Sequence, residues 1–481
     1  MSKLKNIILV TSIIIILIKL IGNFLNTLGI TNYNKLIWGF INLNIPPIIE
    51  LTWTILGLFI LIIICIPKIN KKILNSIENN RIVDSLFSKI NIKGYLFVSL
   101  LFFLVFNLFP IINYELGDAG ILPEEAFTIP ASRFWMSSPI SSYTDYLFYK
   151  ITKPLIGWKP IESTSFLVHI LGLIFIILVY LFSFLMGRNK TQRLLVFMFI
   201  TSMGIIEFFF GWWEGTSRLA FTIFLFILIS TYYLMKKNVK LLYPILAMWL
   251  SFWSHLAAFW ILPSLLHLYF VDTGIKKLNA KNFFNEIFNI KFIRFITPFI
   301  ILTILLFAYM ELNLYSSFGV HLTNIEKIKV GNTFGGGDGI LFLPLFVLKS
   351  PWESYKMIST GHLISSLNEN ILAGGIVLFL FLFLFLTHKK KINFKDIMVM
   401  FLLIMFSFFF LFTVTLNIEY QEKLGWDLFA PVALIYGSLS AYILLKYVDQ
   451  ETSKQIFLII ITSNLILTIP WVLSNSWLFV K

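Results

Sequence analysis

Two carboxylates stand three residues apart in a long polar interruption of the chain. Glu115 and Asp118 lie within the segment 114–120, directly after the apolar run 96–112. Acids at this spacing can share a divalent cation, or one can act as a general base while the other orients a substrate. The alternative is a pair of solvated acids in a glycine-rich turn. This segment is the first candidate for chemistry.

A second candidate is a cation that could bind an anionic substrate. Arg218 follows the aromatic turn 212–214 and stands at the predicted mouth of a span, where an ionisable residue is a functional candidate. The fork of a guanidinium group matches the oxygens of a phosphate. The alternative is an ion pair with Glu214, which lies four residues earlier on the same helical face.

Three further residues extend this group. Lys423 lies at the head of a late span, where it could meet an anionic headgroup or serve as an anchor that reaches the membrane surface. His255 lies at the predicted turn of a short hairpin, and His362 lies in a second polar region. A single histidine either binds a ligand or serves as a structural hydrogen-bonding group. With Arg218 and Glu214, these three are the candidate substrate-binding residues.

The composition defines the class of protein that must position these residues. The chain has 481 residues, of which 58% are hydrophobic and 13% are charged, whereas about a quarter of the residues of a soluble domain are charged. The net charge of +14 lies in short loops between apolar runs, a pattern typical of cytoplasmic loops of membrane proteins and not of a nucleic-acid-binding surface. The single cysteine, Cys65, excludes a disulfide within the chain.

The sequence therefore predicts an all-α polytopic integral membrane protein of about 13 transmembrane helices. Residues 1–93 form two helices and a basic loop, and residues 94–481 form one transmembrane domain with outer loops 114–165 and 314–370. Basic loops alternate so that the N-terminus is cytoplasmic, and we expect a prokaryotic cell membrane. The first outer loop contains an amphipathic helix, 143–155, that lies in the membrane interface.

Several helices in this prediction carry polar residues or are unusually short. The apolar stretch 241–269 is bounded by basic loops on both sides, so it must turn near Ser254 and His255. Such breaks occur at membrane depth where they line protein or a cavity. Glu50 and Glu207 are predicted to pair helices.

These features resemble the GT-C superfamily of polytopic glycosyltransferases, which includes protein mannosyltransferases, aminoarabinose transferases and oligosaccharyltransferases. The resemblance covers about residues 94–450. The matching features are Asp118 in the first long outer loop, the amphipathic region 138–150, the paired short segments around 253–255 and the turn 426–429.

The resemblance implies an enzyme that transfers a sugar from a polyprenyl-phosphate donor to a glycan, lipid or protein acceptor outside the membrane, with inversion at the anomeric carbon. It implies that Asp118 deprotonates the acceptor, and that Glu115 orients the acceptor or, with Asp118, holds a divalent cation such as Mg²⁺ or Mn²⁺. Arg218, with Lys423 or His255, would neutralise the departing lipid phosphate.

Two other classes remain open on the sequence. A polysaccharide polymerase or ligase of the O-antigen type has a large late outer loop rich in arginine and histidine. The loop 314–370 contains His321 and His362 but no arginine. A lipid-linked glycan transporter would show inverted repeats and broken helices with charges near the bilayer midplane.

Overall fold

The computed structural model describes only part of the chain. The described residues are 3–31, 36–40, 42, 44–113, 138–236, 239–274, 289–313, 342–348, 355–416 and 422–479.

Eighteen α-helices run through these residues. The first nine are α1 (Lys3–Thr27), α2 (Pro47–Cys65), α3 (Pro67–Glu78), α4 (Arg81–Phe87), α5 (Ile92–Leu108), α6 (Pro139–Ile156), α7 (Pro160–Met186), α8 (Lys190–Thr201) and α9 (Gly215–Lys236). The remaining nine are α10 (Leu242–Ser254), α11 (Leu262–Thr273), α12 (Ile290–Asn313), α13 (Thr360–Gly374), α14 (Val377–His388), α15 (Ile397–Thr415), α16 (Glu422–Phe429), α17 (Val432–Tyr447) and α18 (Gln450–Asn475). Two 3₁₀ helices, Gly204–Phe210 and Leu256–Ile261, precede α9 and α11.

The structure is that of an all-α polytopic membrane protein, as predicted. Within the described residues, nine helices are long and apolar enough to cross a membrane, or up to 12 if each of three bent helix pairs counts as one span. The sequence predicted about 13. Two isolated β-bridges are the extent of extended pairing in the same ranges.

Two spans that the sequence predicted as continuous are broken. Apolar length predicts one span at about 194–212, but the structure has α8 and then the 3₁₀ helix Gly204–Phe210, with a bend of 71° between them. Apolar length also predicts a span at about 371–387, but the structure has the end of α13 and then α14, with a bend of 105° between them. Both corrections have the same cause, because hydropathy reports apolar length and is insensitive to a change of helix direction.

Side chains of α18 form hydrogen bonds with the backbone at both bends. The side chain of Asn464 accepts a hydrogen bond from Ile376 N at 2.9 Å, directly after α13 ends. Thr468 donates to Ser202 O at 2.9 Å, directly after α8 ends. The polar side chains of α18 thus satisfy backbone groups that a bend leaves without an intrahelical partner.

Gly204 lies where the 3₁₀ helix meets α13. A Cβ added there would overlap the backbone carbonyl oxygen of Leu372, and a backbone cannot retreat as a side-chain end can. We expect Gly204→Ala to lower the free energy of unfolding by about 3 kcal/mol, the upper part of the usual range for overpacking. Thermal unfolding in detergent measures it. The control is Gly437→Ala, whose Cβ would meet the flexible Met203 side chain at 3.1 Å and should cost much less.

A buried ion pair joins the first two helices. Lys19 of α1 binds Glu50 of α2, and both side chains are almost fully buried. Asn42 also donates to Glu50 at 2.6 Å, and Lys19 donates to Phe40 O at 2.6 Å. Glu50 pairs two helices, in agreement with the role predicted from the sequence.

Asp396, the residue before α15, binds three side chains from the end of α17. Lys446, Tyr447 and Tyr442 donate to its carboxylate at 2.6, 2.7 and 2.9 Å. Burial raises the pKa of Asp396, but these hydrogen bonds outweigh burial and hold it below its ordinary value.

The pKa of Asp396 is lower in the folded state than in the unfolded state. The ionised carboxylate therefore stabilises the fold at pH values above the pKa of the unfolded state. That contribution should disappear as the pH falls through the folded pKa. We therefore expect Asp396→Asn to lower the melting temperature at neutral pH and to flatten its decline toward acidic pH. A series of melting curves at falling pH tests this. Parallel curves for the wild type and the variant would contradict it.

Candidate functional site

The turn 211–214, between the 3₁₀ helix Gly204–Phe210 and α9, gathers polar groups from several helices. Gly211 has φ +108°, and a Cβ there would lie 3.0 Å from His169 Nε2 of α7. Only glycine takes this conformation readily with so little space. Ser165 of α7 donates to Gly211 O at 3.0 Å, which fixes the turn against α7.

Arg218 of α9 links this turn to α6. Its Nη2 donates to Asp145, and its Nη1 donates to the carbonyl oxygens of Trp213 and Glu214, both at 3.0 Å. The side chains of Arg218 and Asp145 are 5% and 6% exposed, so the pair is buried. The ion pair that the structure describes is with Asp145, whereas Glu214 contacts Arg218 through its backbone carbonyl.

Asp145 is a residue that the sequence did not single out. Burial raises the pKa of its carboxyl to about 7, while the Arg218 guanidinium acts in the opposite direction. Its partner lies 73 residues later in the chain. The position of Asp145 on an amphipathic helix did not indicate which side chain it would bind.

The start of α6 is also fixed against the break between α10 and the 3₁₀ helix Leu256–Ile261. Ser141 donates to Ser254 O at 2.7 Å. A Cβ at Gly215 would lie 3.3 Å from Ser138 and 3.8 Å from His255 Cδ2. The starts of α6 and α9 and the break at His255 therefore meet at one place.

His255 lies at the predicted break, with extended backbone between the two helices. Its Nδ1 accepts a hydrogen bond from Ala257 N at 3.1 Å, which caps the following 3₁₀ helix. A neutral imidazole that accepts on Nδ1 carries its proton on Nε2. The ring therefore has both a structural role and a donor for a further group.

Asp427 of α16 is a second residue that the sequence did not select. It is buried, and it accepts hydrogen bonds from Trp212 Nε1 at 3.1 Å and Thr216 Oγ1 at 3.2 Å. It thus links α16 to the turn 211–214 and to the start of α9. Lys423, the candidate on the same short helix, has a side chain outside the described residues.

The described residues on either side of the segment that contains Glu115 and Asp118 lie beside this turn. Ile111 N donates to Phe210 O at 2.8 Å on one side, and Ser138 lies against Gly215 on the other. Glu115 and Asp118 themselves lie outside the described residues.

His362 is held elsewhere. It lies in the first turn of α13, where its Nε2 is 3.0 Å from Val414 O at the end of α15, and its ring contacts Tyr355. Of the predicted substrate-binding residues, the structure brings together Arg218, Glu214 and His255. It places His362 on another pair of helices.

The sequence predicts that a divalent cation would be bound by Glu115 and Asp118, which lie outside the described residues. Within the ranges that the structure covers, no three His, Cys, Asp or Glu side chains gather in a way that could hold a metal ion. The Arg218–Asp145 pair and the neutral donors around Asp427 do not form a set of free oxygen ligands, which Mg²⁺ and Mn²⁺ prefer. The described residues alone therefore do not fit a metal site.

Comparisons with known proteins find a similarity of structure and no similarity of sequence. No family model matches the chain, and no curated protein matches it by sequence. One similar structure is that of an archaeal oligosaccharyltransferase. This crystal structure of the Archaeoglobus fulgidus enzyme in its apo form matches with a TM-score of 0.43 and 12% identity, over 81% of this chain and 56% of that one. The chain thus spans little more than half the length of that protein, and a likeness of this size does not identify an activity.

Proposed function

We propose that this protein is a membrane glycosyltransferase that moves a sugar from a polyprenyl-phosphate donor to an acceptor on the outer face of a prokaryotic cell membrane. The observation that supports it lies in the residues on either side of the segment 114–137. Ile111 donates to Phe210 O, directly before the turn 211–214, and Ser138 lies against Gly215, directly after it. The segment that carries the two candidate acids is therefore flanked by residues that lie near Arg218, Glu214 and His255. The GT-C resemblance of the sequence points to the same chemistry.

In this proposal the acids act on the acceptor. Asp118 takes the proton of the acceptor hydroxyl while Glu115 orients that group. The acceptor oxygen forms a bond to the anomeric carbon as the bond from that carbon to the phosphate oxygen breaks. Polyprenyl phosphate leaves with the electron pair, and attack from the opposite face inverts the anomeric carbon. The acceptor is a glycan, a lipid or a protein.

In the same proposal, Arg218 and His255 bind the phosphate group of the departing polyprenyl phosphate. His255 offers the proton on Nε2 as a hydrogen bond. Arg218 is largely engaged, because Nη1 and Nη2 have protein partners, while its buried Nε has no hydrogen-bond partner among the described residues. A phosphate therefore competes with Asp145 for the guanidinium or binds Nε. A divalent cation at Glu115 and Asp118 would supply further positive charge when bound.

The experiment is a transfer assay in proteoliposomes. Purified protein is reconstituted with radiolabelled polyprenyl-phosphate sugars of several kinds, and with glycan, lipid and peptide acceptors added separately. The proposal expects loss of label from at least one lipid donor, with a glycosylated product of inverted configuration. Stable donors with every acceptor class, with and without Mg²⁺ or Mn²⁺, would contradict it.

The broken helices favour a second candidate, a transporter of lipid-linked glycans. Bends of 71° and 105°, with Asn464 and Ser202 buried beside them, are features that transporters use at their binding sites. The same proteoliposomes distinguish the two functions. A transporter would move the labelled lipid-linked glycan to the other leaflet with the sugar still attached to its donor.

A further inference from the structure

Glu207 is a buried acid that the proposed reaction does not use. It lies in the 3₁₀ helix Gly204–Phe210 and is 0% exposed. Its Oε1 accepts a hydrogen bond from Asn475 Nδ2 at 2.6 Å, and its Oε2 is buried with no hydrogen-bond partner among the described residues. A half-satisfied carboxyl group inside a membrane protein is costly. A carboxyl at this place therefore suggests a role beyond packing.

Asn475, the last residue of α18, also forms hydrogen bonds with Ile112 and Asn113, which follow the end of α5. Its Oδ1 accepts from Asn113 Nδ2 at 3.3 Å. Its backbone oxygen accepts from Ile112 N at 2.9 Å and Asn113 N at 3.2 Å. Because the NH₂ group of the Asn475 amide donates to Glu207, the amide oxygen of Asn475 faces Asn113.

We propose that Glu207, acting through Asn475, positions residues 111–113, where the segment that contains Glu115 and Asp118 begins. It is a positioning residue, and its relevance to catalysis rests on the proposed function. Glu115 follows Asn113 by two residues, so a change in the direction of Asn113 moves the start of that segment. Displacements of about 1 Å at reacting groups can cost about 100-fold in rate.

Four variants separate positioning from packing. Glu207→Ala removes the acceptor, and Asn475→Asp replaces the donor by a second acid facing Glu207. We expect each to lower kcat by about 10- to 100-fold with the KM for the donor nearly unchanged. Glu207→Gln keeps an acceptor oxygen and should retain most activity. The double variant Glu207→Gln with Asn475→Asp restores an acid–amide pair in reversed order, and should recover activity relative to Asn475→Asp alone.

The matched control is another buried acid with an assigned partner, on a different pair of helices. Glu50 is 2% exposed and binds Lys19. Glu50→Gln should lower the melting temperature while kcat per folded molecule stays unchanged. If Glu207→Ala and Glu50→Gln behave alike in both measurements, or if the double variant is no more active than Asn475→Asp, Glu207 has only a packing role and the proposal is overturned.

A second readout does not depend on enzyme activity. Cys65 is the one cysteine of the chain, so Cys65→Ser with Ile112→Cys allows a nitroxide to be attached at position 112, whose side chain is 47% exposed. The proposal expects the immobilised component of the electron paramagnetic resonance spectrum to decrease in Glu207→Ala and to persist in Glu207→Gln.

The two failures are distinguishable. If the spectra follow the Glu207 variants but no donor is consumed by the wild type, the positioning proposal stands and the proposed function fails. If the spectra are identical in all variants, the positioning proposal fails whatever the transfer assay shows.

Discussion

Arg218→Ala should lower the free energy of unfolding by about 3–5 kcal/mol, because it leaves the buried Asp145 carboxylate without its partner. It also removes the hydrogen bonds to the carbonyl oxygens of Trp213 and Glu214, which fix the turn 211–214. The expected result is a large fall in melting temperature in detergent or lipid nanodiscs.

The control is an ion pair between a basic side chain and an aspartate at the surface. Lys190 binds Asp84 at 2.8 Å, with side chains 26% and 59% exposed. Lys190→Ala should cost no more than about 1 kcal/mol, because water and salt screen exposed pairs. Equal effects of Arg218→Ala and Lys190→Ala would show that the buried pair does not hold α6.

A double variant separates the two roles that Arg218 could have. Arg218→Met with Asp145→Leu removes both charges and keeps apolar volume, so it should recover stability relative to Arg218→Ala. If Arg218 binds the departing phosphate, this stable double variant should still transfer sugar poorly. Full activity in the double variant would assign Arg218 to the attachment of α6 alone.

Asp118→Asn should lower the rate of sugar transfer by about 10²- to 10⁴-fold, the usual contribution of a general base. Asparagine has nearly the same shape and cannot accept the proton of an acceptor hydroxyl. The melting temperature should therefore remain close to that of the wild type, and the measurement is kcat with a labelled donor at saturating acceptor.

Two neighbouring acids provide the matched control for Asp118. Glu124 and Glu125 follow Pro123 in the same segment, and the proposed reaction assigns no role to either. Glu124→Gln and Glu125→Gln should transfer sugar at nearly the wild-type rate. An Asp118→Asn protein that folds and transfers normally would remove Asp118 from the mechanism.

The helices were predictable because their signals are local. Apolar length predicts spans, and α6 begins at a proline and ends before Gly157, which has φ +73°. The break at His255 followed from a simple count, since a stretch too short for two full spans had basic loops on both sides. The bend after Thr201 is held by Thr468, and the bend at Gly375 is held by Asn464. Because both contacts come from a distant helix, no local pattern showed the bends.

The site was predictable only in part. Arg218, Glu214 and His255 were selected as ionisable groups at helix ends, and the structure brings them together. Asp145 and Asp427 were missed because their importance comes from partners 73 and 211 residues away. A usable signal did exist in α18, where Asn464, Thr468 and Asn475 lie at spacings of four and seven, on one face of an otherwise apolar helix.

The most direct test of the central claim is photocrosslinking with a polyprenyl phosphate that has a diazirine next to the phosphate. After irradiation in proteoliposomes, mass spectrometry locates the labelled peptides. The proposed mechanism predicts label in peptides that contain the turn 211–214, the start of α6 or His255, with competition by unlabelled polyprenyl phosphate. Specific label confined to the region 314–370 or to the basic loops would contradict a donor site at this turn.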